Sequence, residues 1–236
     1  MEKLKILCLH GYRQNADFFR EKTGGLRKLL KKYAVFDFVS APHIPAAIDD
    51  ANTSVDDNRG EARGWWFSKP DNQFSSKDVT DIDTGFEESV EKIVKFAAEE
   101  VISYFPGFTG PYDGLLAFSQ GAAFAVLLAA LRARKEINME FRFMILFSGF
   151  PSLSTKHSEL METHLGDIYC LHVFGENDKV VDFQVSEKLV GMFDCDKCEV
   201  IVHKGGHLVP ALSAHKQAVT NFIQKMFELT FPGSSA

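Results

Sequence analysis

Six short apolar runs punctuate the chain, at 4–9, 34–39, 113–118, 142–147, 168–174 and 199–203. Most have no polar face, which predicts strands covered on both sides, as in a parallel sheet. Between them, apolar positions recur at helical spacing. The pattern predicts helices over about 15–32, 84–104, 120–134, 183–192 and 212–229, with a short loop or helix running to 167. In 84–104, Phe86, Val90, Ile93, Val94, Ala97 and Val101 recur along one face, with Glu and Lys between. Strands alternating with helices imply an α/β protein, about six parallel strands with helices on both faces. The length suits one domain spanning 1–236. The 41–83 loop is too long for a mere connector. Its acidic stretch Asp49 to Glu61 is expected to move, and it then reaches Trp65, Trp66, Phe67 and Phe74. These aromatics are expected to form a lid or pocket wall, unless a tryptophan plugs the core beneath the loop. The tail 231–236 is expected to fray.

The chemistry concentrates where the 113–118 run turns into the next helix, at Ala117-Phe118-Ser119-Gln120-Gly121. A serine at a strand-to-helix corner, with glycine two residues on, has the form of a nucleophile elbow. The corner lifts the hydroxyl above the sheet and aims the helix N-terminus at the reacting centre. In the fold that uses such an elbow, the remaining groups follow in the order acid, then histidine. Downstream, a strand ends in Gly175-Glu176-Asn177-Asp178, and another is followed by Lys204-Gly205-Gly206-His207. His207 is the candidate base and Asp178 its orienting acid. Asp182 is the rival acid, and His203, at a strand end, the rival base. At the other end of the chain, the first strand runs into His10-Gly11-Tyr12. The backbone N–H groups of Tyr12 and Gln120 are the candidate oxyanion donors.

The pieces Leu-Cys-Leu-His-Gly-Tyr-Arg-Gln-Asn (7–15), Arg-Gly-Trp-Trp-Phe-Ser (63–68), Tyr-Asp-Gly-Leu-Leu-Ala-Phe-Ser-Gln-Gly-Ala (112–122), His-Val-Phe-Gly-Glu-Asn-Asp-Lys-Val (172–180) and Gly-Gly-His (205–207) span nearly the whole chain. Together they resemble the family of serine hydrolases of the alpha/beta-hydrolase fold, most closely its animal branch. Ala117 departs from the glycine common at that position. The resemblance implies a compact alpha/beta-hydrolase, carboxylic ester hydrolysis, and Ser119, Asp178 and His207 as the triad. The 22 phenylalanines are an unusual number. Phe18, Phe19, Phe118, Phe150 and Phe183 fall near strand ends or the site. Trp65, Trp66, Phe67 and Phe150 are the expected pocket residues, and an aromatic pocket favours a medium-to-long apolar acyl or alkyl chain. One rival is an acyl-thioesterase. A coenzyme A reader should show a basic mouth, and the sequence displays none. The other rival is an inactive hydrolase fold used for binding.

Composition adds no partner to the small-molecule ester that the motifs and the resemblance imply. Net charge is −6, with pI about 5.8. The densest basic cluster, Arg27-Lys28 with Lys31-Lys32, reads as the solvated face of an early helix, so no nucleic-acid binding is expected. Residues 114–131 form the longest apolar stretch and read as strand plus helix, giving no membrane span. No secretory signal is visible, and four cysteines suggest reduced thiols in a cytoplasmic or nuclear protein. Cys195, Cys198, His203 and His207 are spaced like a metal knuckle, but zinc would consume the candidate base. Neither metal nor cofactor is expected, and the sequence specifies no oligomeric state.

Overall fold

The computed structural model describes residues 2–47, 60–101, 112–211 and 214–234. Among these residues six strands form one parallel sheet in the order β2-β1-β3-β4-β5-β6. They are β1 (Leu4–Leu9), β2 (Ala34–Val39), β3 (Gly114–Phe118), β4 (Phe143–Phe147), β5 (Tyr169–Gly175) and β6 (Cys198–His203). The chain reverses direction across the sheet between β1 and β3, where ligands enter open α/β sheets. The helices are α1 (Ala16–Lys22), α2 (Gly24–Leu30), α3 (Phe86–Val101), α4 (Gln120–Ala133), α5 (Ser158–Met161), α6 (Phe183–Val190) and α7 (Lys216–Thr230). One core layer lies under α1, α2 and α7, including Phe19, Leu26, Leu30 and Phe222. The other contains Ile93, Leu160, Leu189 and the apolar length of α4.

The expected helix over 15–32 is two helices. Thr23 breaks it: its hydroxyl donates to the Phe19 carbonyl at 2.8 Å, and Gly24-Gly25 follow. A side chain that bonds back to the previous turn, followed by two poor helix formers, favours the interruption. α1 starts at Asn15, whose side chain accepts from the Phe18 N–H at 2.9 Å. In α4, every residue from Gln120 to Leu131 is buried, so the helix after the elbow is a core element with no solvent face. The tail is anchored at its start, because Phe231 is buried and packs on Phe227 with ring centres 5.1 Å apart. Much of the acidic stretch from Asp49 lies outside the described residues.

From residue 60 the long connection returns to the body of the protein. Backbone bridges pair Gln14 with Arg63, His43 with Gly64, and Phe67 with Thr84. A further bridge joins Thr80 to Ser154. Among the described residues, no helix is long and apolar enough to cross a membrane.

Candidate active site

Ser119 caps α4 with φ 54° and ψ −119°, a conformation that non-glycine residues rarely adopt. Its N–H is held by the Phe147 carbonyl at 2.9 Å, and its own carbonyl accepts from Ala122 and Ala123. The corner also requires Gly121. A methyl group there would lie 2.3 Å from the Leu9 carbonyl oxygen and 2.4 Å from that of His10. Ala117, by contrast, is not at positive φ, and its methyl is buried in the core layer.

His207 comes from the loop after β6 and meets Ser119 across the sheet's C-terminal edge. Its Nε2 is 2.8 Å from the Ser119 hydroxyl, and its Nδ1 is 2.8 Å from a carboxylate oxygen of Asp178. The assignment that satisfies both contacts has Nδ1–H donating to Asp178 and the serine hydroxyl donating to Nε2. The second Asp178 oxygen accepts from the N–H groups of Val180 and Val181, each at 2.9 Å. Desolvation pushes the Asp178 pKa up. The His207 hydrogen bond, the two backbone donors and the His207 charge outweigh it, and the net shift is downward. The strand carrying the acid and the loop carrying the histidine pass in near contact at Gly175. A methyl group there would lie 2.2 Å from the Gly205 carbonyl oxygen.

The rival residues have other partners. Asp182 is the N-cap of α6 and accepts from the Gln184 N–H at 2.9 Å. His203 ends β6, buried, and accepts from the Gly205 N–H at 3.1 Å. Cys195 is exposed and Cys198 opens β6, while His207 lies between Ser119 and Asp178.

Tyr12 and Gln120 flank the serine from β1 and α4. Neither backbone N–H meets an acceptor among the described residues. The loop bearing Tyr12 is fixed by His10, whose Nδ1–H donates to the Gly11 carbonyl at 2.8 Å and whose Nε2 accepts from Ala41 N–H at 2.9 Å. Burial drives the His10 pKa down to about 4, against the opposing pull of the Gly11 bond.

Sequence reasoning missed the part played by the Gln120 side chain. Its oxygen accepts from the Trp65 N–H at 3.0 Å, and its amide nitrogen donates to the Trp66 carbonyl at 2.7 Å. The Trp65 indole N–H donates to the His10 carbonyl at 2.8 Å. The Trp-Trp segment is thereby tied to both the elbow and the loop bearing Tyr12. The cost of burying an unpaired amide was the available signal, since a glutamine opening so apolar a helix needs partners.

A cavity of about 860 Å³ opens at Ser119 and His207. Tyr12, Phe18, Phe74, Phe118, Leu208 and Val209 supply much of its apolar lining. The expectation for Trp65, Trp66, Phe67 and Phe150 is corrected. All four are at most 3% exposed, and none lines this cavity. Trp65 stacks on Phe124 of α4 at 4.8 Å, and Trp66 packs edge-on against Phe74 at 5.1 Å. The indoles fill the space beneath the loop, and Phe74 presents a face to the cavity.

A second series of serine, histidine and aspartate lies behind the wall. His157 Nδ1 is 2.8 Å from the Ser152 hydroxyl, and its Nε2 is 3.5 Å from Asp83. Of the three only Ser152 lines the small void nearby, which measures about 10 Å³, too small for a substrate. Here the imidazole is a core element, packed against the rings of Trp66 at 6.0 Å and Phe86 at 4.3 Å.

Residues 1–219 match the serine hydrolase (FSH1) family. The chain is 43% identical over 228 residues to the esterase C25G4.2 of Caenorhabditis elegans, covering 96% of this chain and 95% of that one. It is 42% identical over 233 residues to the esterase OVCA2 of Danio rerio, covering 94% and 97%. Among solved structures, Arabidopsis thaliana SOBER1 superposes with a TM-score of 0.61 at 16% identity, over 95% of this chain and 99% of that one. The Zea mays acyl-protein thioesterase 2 superposes with a TM-score of 0.60 at 16% identity, over 96% and 95%. At these identities the structural likeness concerns the alpha/beta-hydrolase fold.

Proposed function

The chain belongs to the serine hydrolase (FSH1) family, a family of esterases, and on that premise we propose that it cleaves carboxylic esters with a medium-to-long apolar acyl or alkyl chain. The observation that carries the reading is the unbroken line of hydrogen bonds from Asp178 through His207 to Ser119, at the wall of a cavity lined in part by aromatic and aliphatic side chains. Ser119 attacks the ester carbonyl while His207 Nε2 takes its proton. Asp178 holds the Nδ1–H tautomer and stabilises the imidazolium that forms. The Tyr12 and Gln120 N–H groups receive the developing oxyanion, each worth about 3 kcal/mol of transition-state stabilisation. His207 returns the proton to the leaving alcohol. Water then attacks the acyl-enzyme with the same imidazole as base, releasing the acid and restoring Ser119. Each step uses only groups of the chain and water. The four free thiols favour a reducing compartment, in keeping with a cytoplasmic or nuclear location.

Ser119→Ala tests the reading. Turnover of p-nitrophenyl esters and labelling by a fluorophosphonate probe should both vanish while the circular dichroism spectrum is retained. Labelling that persists in the variant would assign the nucleophile elsewhere. Across an ester series, each added methylene should raise kcat/KM by up to about fourfold until the cavity is filled, from about 0.8 kcal/mol per buried methylene.

A further inference from the structure

The cavity at Ser119 has a charge opposite to that of the chain. Net charge over the whole sequence is −6. Among the residues lining the cavity, three are lysines, Lys22, Lys69 and Lys77, and none is Asp or Glu. They come from separate segments. Lys22 ends α1, and the other two lie on either side of Phe74 in the returning connection. The basic mouth absent from the linear sequence is assembled by the fold.

The local partners leave much of this charge available. The Lys22 ammonium lies 5.0 Å from the Phe18 ring centre. Lys77 Nζ donates to the Lys179 carbonyl at 3.3 Å. Among the described residues, neither forms an ion pair with a carboxylate. Lys69 approaches Asp78 at 3.3 Å, but that aspartate is not part of the cavity wall, and the pair is solvent-exposed and screened. Like charges converging on a low-dielectric cleft raise the local concentration of a ligand of opposite sign. The phenylalanines and Leu208 offer surface for an apolar segment beside the scissile bond.

We propose that this site selects esters or thioesters that carry an anionic group, carboxylate or phosphate, beyond an apolar segment, and that Lys22, Lys69 and Lys77 bind that group. The proposal rests on the reading of Ser119 as the nucleophile. The anion can sit on either side of the scissile bond, and two substrate pairs separate the cases. The first pair is the p-nitrophenyl ester of a long ω-carboxy acid and its ω-carboxamide isostere. The second is an acyl thioester of phosphopantetheine and that of pantetheine, which differ by one phosphate.

At low ionic strength, kcat/KM for the charged member of at least one pair should exceed that of its neutral counterpart by about tenfold. The excess should shrink in about 0.5 M salt, as screening requires. In the triple variant Lys22→Gln/Lys69→Gln/Lys77→Gln the charged-to-neutral ratio should fall to about one, through KM rather than kcat. Lys28→Gln, an exposed change on α2 outside the cavity lining, should retain the ratio. A ratio near one in both pairs, a salt-insensitive ratio in the unaltered protein, or a ratio that survives the triple change would each overturn the proposal. The salt series needs no mutation, so it decides even if the triple variant does not fold. Hydrolysis of the neutral members with no preference for charge removes the anion site alone. Failure to cleave any of the four removes the reading of Ser119 as well.

Discussion

Ser119 and Asp178 impose demands on the backbone that surrounds them. The positive φ of Ser119 is held by the Phe147 carbonyl on one side and the first turn of α4 on the other. Asp178 is buried but takes three hydrogen bonds, one from His207 and two from backbone N–H groups. Asp178→Asn should therefore leave the fold in place and lower kcat by about 10⁴-fold, because the carboxamide no longer fixes the productive His207 tautomer. Asp182→Asn should change little in kcat or melting temperature, since asparagine caps a helix as well as aspartate. Steady-state kinetics on the two purified variants checks the ranking, and its reversal would move the acid role to Asp182. Gly121→Ala should be damaging without touching chemistry directly, because the added methyl collides with two carbonyl oxygens of the β1 loop. The order of Ser119, Asp178 and His207 was legible in the sequence because elbow, strand-end acid and post-strand histidine each follow a local turn signal. Choosing Asp178 over Asp182 was harder. Both lie in turns a few residues apart, and only the three-dimensional path shows that one faces His207 while the other caps α6.

The segment from residue 60 to 84 links the site to its surroundings. Its tryptophans are pinned by Gln120 and the His10 carbonyl, while Phe74 lies between Trp66 and the cavity. Trp65→Ala should cost about 3–5 kcal/mol of stability and lower the activity on short and long esters together. Phe74→Ala and Phe18→Ala should instead weaken the long ester selectively, raising its KM with kcat less affected. Denaturant titration beside a two-ester assay separates these patterns. Selective loss of the long ester in Trp65→Ala would return the indole to the pocket wall. The strands were readable because runs buried on both faces carry no polar alternation, and α4 because its apolar residues extend for several turns. The fate of the tryptophans was not. A hydrophobic patch on a long loop has the same sequence form whether it lines a cavity or fills the layer beneath it. What decides is the partner of each N–H, and those partners, His10 and Gln120, lie 55 residues away in either direction.

Across the whole molecule, four histidines are buried among the described residues, and three of them carry large downward shifts: His10 after β1, His157 before α5 and His172 in β5, with His203 at the end of β6 shifted the same way. Desolvation is the leading cause in each, lowering the pKa to about 4 for His10 and His157 and about 3 for His172. Asp83 opposes the shift at His157 without reversing it. In the unfolded chain these imidazoles titrate near 6.5, so below that pH the unfolded state binds protons that the native state does not. The stability they confer is complete above about pH 6.5 and declines as pH falls toward the folded pKa values. At pH 5 each costs about 2 kcal/mol, or about 6 kcal/mol for the three, a large share of a total stability of about 5–15 kcal/mol. The lowered pKa of Asp178 acts in a different window, at and below the ordinary carboxylate value, so it does not blur this one. Urea unfolding at pH 7.5 and pH 5 should therefore show a steep loss of stability while the denaturant slope stays constant. His172 has the largest downward shift of the three, and its Nε2 meets no hydrogen-bond partner among the described residues. His172→Phe should accordingly remove about 2 kcal/mol of the pH dependence at pH 5, with the ring taking over the contact to Phe193. Equal stability at the two pH values would mean that these imidazoles are hydrated or charged in the native state, contrary to their burial.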